Sequence, residues 1–254
     1  MIKAIIFDLD DTIVECAKYY WDVRDRFIKE VSNRTGVNYE FCAKLFSIID
    51  GHMLKLSGSF NRDRFPTTFR ATSLALDAIA KIPIDIDASE RAYKLGNSVF
   101  DAEYAIFDGV YQTLTELKND GYLLILNTKG DEEVQTSKLE KNNIKHFFDA
   151  IYISQTKNAN FLRKILRDFN LTPDEALCVG DSMRDDVATP TEVGCPTVFI
   201  STTSPLEWRP RWEYEAQGNG FVNPTYWITT LAELMGVNFD DRTTDAKGPV
   251  TISA

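Results

Sequence analysis

The 254-residue chain carries 28 Lys+Arg against 38 Asp+Glu, a net charge of −10, and 44% of its residues are hydrophobic. That apolar content supplies a packed core and excludes global disorder. The acidic balance argues against a nucleic acid polymer or an anionic membrane surface as partner, because both require clustered basic side chains, and no apolar run approaches the ~20 residues of a membrane helix.

The first apolar run, Ala4-Ile5-Ile6-Phe7, meets an aspartate too early for a signal peptide and reads as a buried strand. Strand patterning then stops between about Val14 and Ile106. Amphipathic helices are predicted there over 20–34, 39–56, 66–80 and 89–100, an all-helical insertion of roughly 90 residues. Beyond it, short apolar runs at 123–126, 150–153, 176–179 and 197–200 alternate with helical patterns. One helix is marked by Val110, Leu114 and Leu117, with Gly121 as its stop. A second is marked by Phe161, Leu162, Ile165, Leu166 and Phe169. Thr172-Pro173 reads as an N-cap and first-turn proline. A further helix is expected over 185–193, shortened or bent by Pro190.

Strands alternating with helices predict an α/β fold, a doubly wound parallel sheet. The expected division is a core of 1–13 and 107–236, a helical domain of 14–106, and a loose polar tail over 237–254. Trp208, Arg209, Arg211 and Trp212 are read as packing over a sheet edge.

Cys16, Cys42, Cys178 and Cys195 form no CxxC pair, and His52 and His146 are the two histidines in the chain. Zinc coordination and a Ser-His-Asp or Cys-His catalyst are therefore disfavoured, and a reducing, cytoplasmic setting is expected. The chemistry is expected to run on carboxylates.

Ligands of doubly wound sheets bind beyond the carboxyl ends of the strands. After the first strand comes Asp8-Leu9-Asp10-Asp11-Thr12, in which alternation sends Asp8 and Asp10 the same way. Thr128-Lys129-Gly130-Asp131 follows the second strand and Gln155-Thr156-Lys157 the third. Asp181, with Asp185 and Asp186 nearby, follows the fourth. Singly, each fits a turn or cap; Asp11 is read that way. Together they suit phosphoryl transfer. Clustered aspartates bind Mg²⁺, and a carboxylate is a nucleophile that needs no activating base. A lysine offsets the charge of the phosphate, and a second carboxylate moves the proton. Thr128 and the amides after it bind phosphate oxygens.

The segments FDLDDT, LNTKGD, the lysine before Asn158, and VGDSMRDDV resemble, in order, the four motifs of the haloacid dehalogenase superfamily of phosphohydrolases. The resemblance spans roughly residues 2–200, with the insertion where that family carries its helical C1-type cap. It implies Asp8 as nucleophile, Asp10 as general acid and base, and Thr128, Lys129 and Lys157 as phosphate binders. It also implies Mg²⁺ on Asp8, the Asp10 carbonyl and Asp181, supported by Asp186 or Asp185. Two positions depart from the family pattern: Lys129 stands where relatives commonly have Asn, and Asn158 where they often have Pro.

The expected activity is Mg²⁺-dependent hydrolysis of a small soluble phosphate ester through an aspartyl-phosphate. Substrate choice is assigned to the cap. There Arg62, Arg64 and Phe65, within the stretch from Phe60 to Arg70, suit either stacking on a nucleobase or plain helix packing. A nucleoside 5′-monophosphate is the leading expectation. A sugar-phosphate phosphatase or mutase-like phosphotransferase is the alternative, and a non-catalytic binding protein on the same fold is a distant one.

Overall fold

Ala4–Phe7 is apolar and buried at every position, and it forms β1 at the centre of a six-stranded sheet. The computed structural model describes residues 1–201, 222–237 and 239. The remaining strands are β2 (Leu123–Lys129), β3 (Ala150–Ser154), β4 (Ala176–Gly180), β5 (Thr197–Ile200) and β6 (Tyr226–Ile228). All pairings are parallel and the order is β3-β2-β1-β4-β5-β6. The chain therefore winds outward from β1 in one direction, returns to its other side at β4 and winds outward again. That reversal opens a crevice between the ends of β1 and β4. The doubly wound α/β fold read from the sequence is the observed one.

The helices are α1 (Ala17–Thr35), α2 (Tyr39–Ser57), α3 (Arg64–Ala80), α4 (Ile86–Asn97), α5 (Val110–Asn119), α6 (Glu132–Lys141), α7 (Ala159–Asp168) and α8 (Thr189–Val193). The chain divides into two compact units. One comprises residues 1–15, 105–129 and 137–254; the other comprises 16–104 and 130–136. The sequence placed the division at 14 and 106, and did not single out 130–136 as part of the helical unit.

The helical unit is built on aromatic packing. Phe69 lies 4.8 Å from Phe27 and 4.9 Å from both Phe46 and Phe65, ring centroid to ring centroid. Asn38 and Asp85 cap α2 and α4 by accepting from Phe41 N and Ala88 N. Asp85 sets the start of α4 at Ile86, three residues before the apolar pattern indicated.

Other departures from the sequence reading are local. The helix expected over 185–193 is a π-helical turn, Met183–Ala188, leading into the five-residue α8. Pro190 has no N–H to continue an α-helical ladder, and it sits at the start of α8, where none is needed. Thr172-Pro173 opens a short 3₁₀ turn closed by a capping box with Glu175. β6 was not anticipated. The Trp208–Trp212 reading and most of the tail lie outside the described residues. Phe239, within the expected loose tail, is buried at the edge of the Tyr122 ring. Among the described residues no helix is long and apolar enough to cross a membrane.

Candidate active site

β1 delivers Asp8 to the crevice while Leu9 turns into the core, fully buried. The Asp8 amide donates to Val179 O at 2.9 Å, extending the β1–β4 ladder one residue past Phe7. Asp11 has φ 58°, a left-handed conformation that aspartate tolerates. Its N–H donates to Val14 O at 2.7 Å, turning the chain just after Asp10.

Lys157, in the loop before α7, is buried and ion-paired to Asp8. Its ammonium also donates to Asp186 Oδ1 at 2.9 Å. The other oxygen of Asp186 accepts from Ser182 N at 3.0 Å, so the carboxylate is fixed at both ends. This placement requires Gly180: a Cβ there would lie 2.3 Å from Asp186 Cγ and Oδ2. Asp8, Asp181 and Asp186 each present an oxygen, all within 4.8 Å of one another.

Burial pushes the Asp8 carboxyl up from 3.8 to about 7. Lys157 opposes the shift, and Asp186 and Asp10 add to it. Burial also disfavours the Lys157 ammonium, yet Asp186 and Asp8 hold it well above the ordinary lysine range. One ammonium does not overcome burial plus like charge at Asp8, whereas two carboxylates overcome burial at Lys157.

Thr128 is buried on β2, and the Lys129 ammonium pairs with Asp185. The Asp185 amide donates to Ser182 Oγ at 3.1 Å. The sequence left open which of the two adjacent carboxylates supports the metal shell. Asp186 joins the acidic cluster and Asp185 meets Lys129 instead.

A third ammonium was not singled out from the sequence. Lys138 on α6 donates to both Asp10 oxygens, at 2.8 and 2.9 Å, and its side chain is 3% exposed. The sequence alone offers no signal for it: only the fold shows that Gln135, Lys138 and Leu139, at i, i+3 and i+4 of α6, form a buried face.

With all ionised, the carboxylates Asp8, Asp10, Asp181, Asp185 and Asp186 and the ammonium groups of Lys129, Lys138 and Lys157 leave two net negative charges. A hard, oxygen-only cluster with that residual charge fits a divalent cation such as Mg²⁺.

The three cap residues assigned to substrate choice are otherwise engaged. Phe65 is buried in the aromatic core of the helical unit, against Tyr20, Phe46 and Phe69, the packing alternative that the sequence held open beside stacking. It lies one helical turn before Phe69, so the face that packs Phe69 packs Phe65 as well. Arg64 pairs with Asp50 and lies over the Phe60 ring; Arg62 pairs with Glu133 at 2.8 Å and lies over Phe100.

Residues 5–200 match the family described as haloacid dehalogenase-like hydrolase. The chain is 29% identical over 204 residues to the glyceraldehyde 3-phosphate phosphatase of Pyrococcus furiosus, covering 78% of this chain and 80% of that protein. The corresponding enzyme of Pyrococcus abyssi is 30% identical, with 79% and 82% covered. The N-acylneuraminate-9-phosphatase of Mus musculus is 28% identical over 222 residues, with 81% and 88% covered. Among solved structures, a haloacid dehalogenase-like family hydrolase from Xanthomonas campestris superposes with TM-score 0.65 at 18% identity. That superposition covers 78% of this chain and 82% of the other.

Proposed function

Because this chain belongs to the haloacid dehalogenase-like hydrolase family, we propose that it is a phosphatase that hydrolyses small, sugar-type phosphate monoesters through a phosphorylated Asp8. The observation that carries this reading is the buried Asp8–Lys157–Asp186 array, with Asp10 two residues beyond Asp8 at the same strand end.

In the first step the Asp8 carboxylate attacks phosphorus, the bond to the leaving oxygen breaks, and Asp10 gives that oxygen a proton. In the second, Asp10 takes a proton from water as the water attacks the acyl phosphate, which returns Asp8 and releases phosphate. Lys157 lies against the nucleophile, where its ammonium opposes the repulsion between carboxylate and phosphate. Thr128 and the backbone after it face the remaining phosphate oxygens. Mg²⁺ held by Asp8, the Asp10 carbonyl and Asp181, with Asp186 beside them, would supply further positive charge to the transferring group.

The sugar-type preference is supported by the curated relatives, which are phosphatases of glyceraldehyde 3-phosphate and N-acylneuraminate 9-phosphate. The nucleotide expectation rested on the Phe60–Arg70 stretch, whose Phe65 is core and whose arginines meet carboxylates. The four cysteines are free and buried, in keeping with a reducing, cytoplasmic setting.

Phosphate release from glyceraldehyde 3-phosphate, N-acylneuraminate 9-phosphate and nucleoside 5′-monophosphates, with Mg²⁺ and after chelation, tests the reading. The expected result is Mg²⁺-dependent turnover with kcat/KM at least about tenfold higher on a sugar-type ester than on any nucleotide. Preference for a nucleotide would overturn the substrate class. Full activity after exhaustive chelation would overturn the role of the acidic cluster.

A further inference from the structure

Lys138 places an ammonium where burial is costly. An ammonium at 3% exposure has lost most of its hydration, and even a well-made buried ion pair is often no better than apolar side chains of the same volume. Its neighbour Leu139 and the nearby Ile144 are fully buried hydrophobic residues, so an apolar side chain is compatible with this face. The ammonium donates to both carboxylate oxygens of Asp10.

The backbone that carries Lys138 is itself anchored. Asn142 donates to Lys138 O from its side-chain amide at 3.0 Å and from its backbone N–H at 3.2 Å. Tyr111 Oη donates in turn to Asn142 O at 2.6 Å. Asp10, by contrast, follows β1 by three residues, and its side chain is 32% exposed. The two bonds from Lys138 fix the side-chain torsions of Asp10, and a group that transfers protons must keep its angle to the reacting oxygen.

We infer that Lys138 is a positioning residue that aims Asp10 for proton transfer; the inference rests on the reading of Asp10 as general acid and base. The Asp10 O–H bond breaks as the leaving oxygen takes its proton, and the carboxylate that remains removes a proton from water in the second step. Lys138 keeps its own protons throughout and acts through Asp10, whose oxygens it holds, rather than on the substrate.

The test uses aryl phosphates graded from 4-nitrophenyl to phenyl phosphate, with kcat/KM measured for wild type, Asp10→Asn, Lys138→Met and Lys138→Arg. Nitrophenolate leaves with little help, whereas phenolate needs a proton. Lys138→Met is expected to lower kcat/KM on phenyl phosphate by about tenfold more than on 4-nitrophenyl phosphate, steepening the leaving-group dependence as Asp10→Asn does. Lys138→Arg is expected to fall between wild type and Lys138→Met. If Lys138→Met does not fold, a steepened dependence in Lys138→Arg supports the inference and a wild-type dependence overturns it. A steepened Asp10→Asn beside a Lys138→Met that is unchanged, or loses equally on every ester, overturns the role of Lys138 and leaves Asp10 standing. An Asp10→Asn with wild-type dependence removes the acid role of Asp10 and this inference with it.

Discussion

The carboxylate of Asp186 occupies the space that a side chain on Gly180 would fill: a Cβ there would stand 2.3 Å from Asp186 Cγ and Oδ2. Gly180→Ala must move Asp186 or the end of β4, and either movement disturbs the bond from Lys157 to Asp186. Overpacking of this kind costs about 1–3 kcal/mol. Activity is expected to fall by about tenfold or more, with a higher Mg²⁺ concentration needed for half-saturation. Thermal melting and a Mg²⁺ titration of kcat check both. Wild-type Mg²⁺ dependence would contradict the role given to Asp186.

The Asp8 carboxyl, raised by burial from 3.8 to about 7, makes metal affinity pH-dependent. Below about 7 the metal-free site carries a proton that Mg²⁺ must displace. Apparent affinity should therefore fall as pH drops from 8 to 6 and level off above 8. The raised value also means that the folded, metal-free protein binds more protons than the unfolded chain between 3.8 and about 7. The Asp8 contribution to stability is thus fully present below 3.8 and lost as pH rises through about 7. Asp8→Asn should remove that slope. Calorimetric Mg²⁺ titrations and melting curves across this range check the two signs.

Arg64 and Asp50 form a partly buried pair on the helical unit, with side chains 14% and 31% exposed. Arg64→Ala leaves Asp50 without that cation and should cost about 1 kcal/mol of stability, kept small by solvent screening. Because the pair serves the unit's own packing, kcat/KM should change by the same factor on sugar phosphate, nucleotide and 4-nitrophenyl phosphate. A loss confined to nucleotides would restore this arginine as a specificity residue.

The aromatic cluster of the helical unit turns on Phe69, which is fully buried among Phe27, Phe46 and Phe65. Phe69→Ala should destabilise by about 3–5 kcal/mol. Gly96 is tied to the same ring, since a Cβ there would lie 2.8 Å from Phe69 Cδ2 and 2.9 Å from Pro66 Cα. Chemical unfolding of Phe69→Ala checks the magnitude. A change below 1 kcal/mol would mean that the unit does not depend on this cluster.

Five of the six strands were readable because each carries a short apolar run with a polar residue or glycine at its end, a pattern that holds even at β3, which is only partly buried at the sheet edge. β6 was not readable: it has three residues, of which Ile228 alone is fully buried. Asp185 and Asp186 are neighbours in the chain, and what separates them is the missing Cβ of Gly180, a relation that spacing does not reveal. Phe65 and the arginines beside it suit stacking and packing equally well as a string of letters; the partners Asp50, Glu133 and Phe69 decide. Lys138 drew no notice in the sequence because a lone lysine carries no pattern, and its burial goes with a carboxylate 128 residues away.

The central claim is that Asp8 becomes phosphorylated during turnover. The most direct measurement is acid quenching of the Mg²⁺-loaded enzyme during hydrolysis of 4-nitrophenyl phosphate, followed by peptide mass spectrometry. A phosphoryl group is predicted on the peptide containing Asp8, lost from Asp8→Asn together with several powers of ten in kcat. A phosphoryl group on another residue, or an Asp8→Asn enzyme that keeps about a tenth of wild-type kcat, would contradict the account.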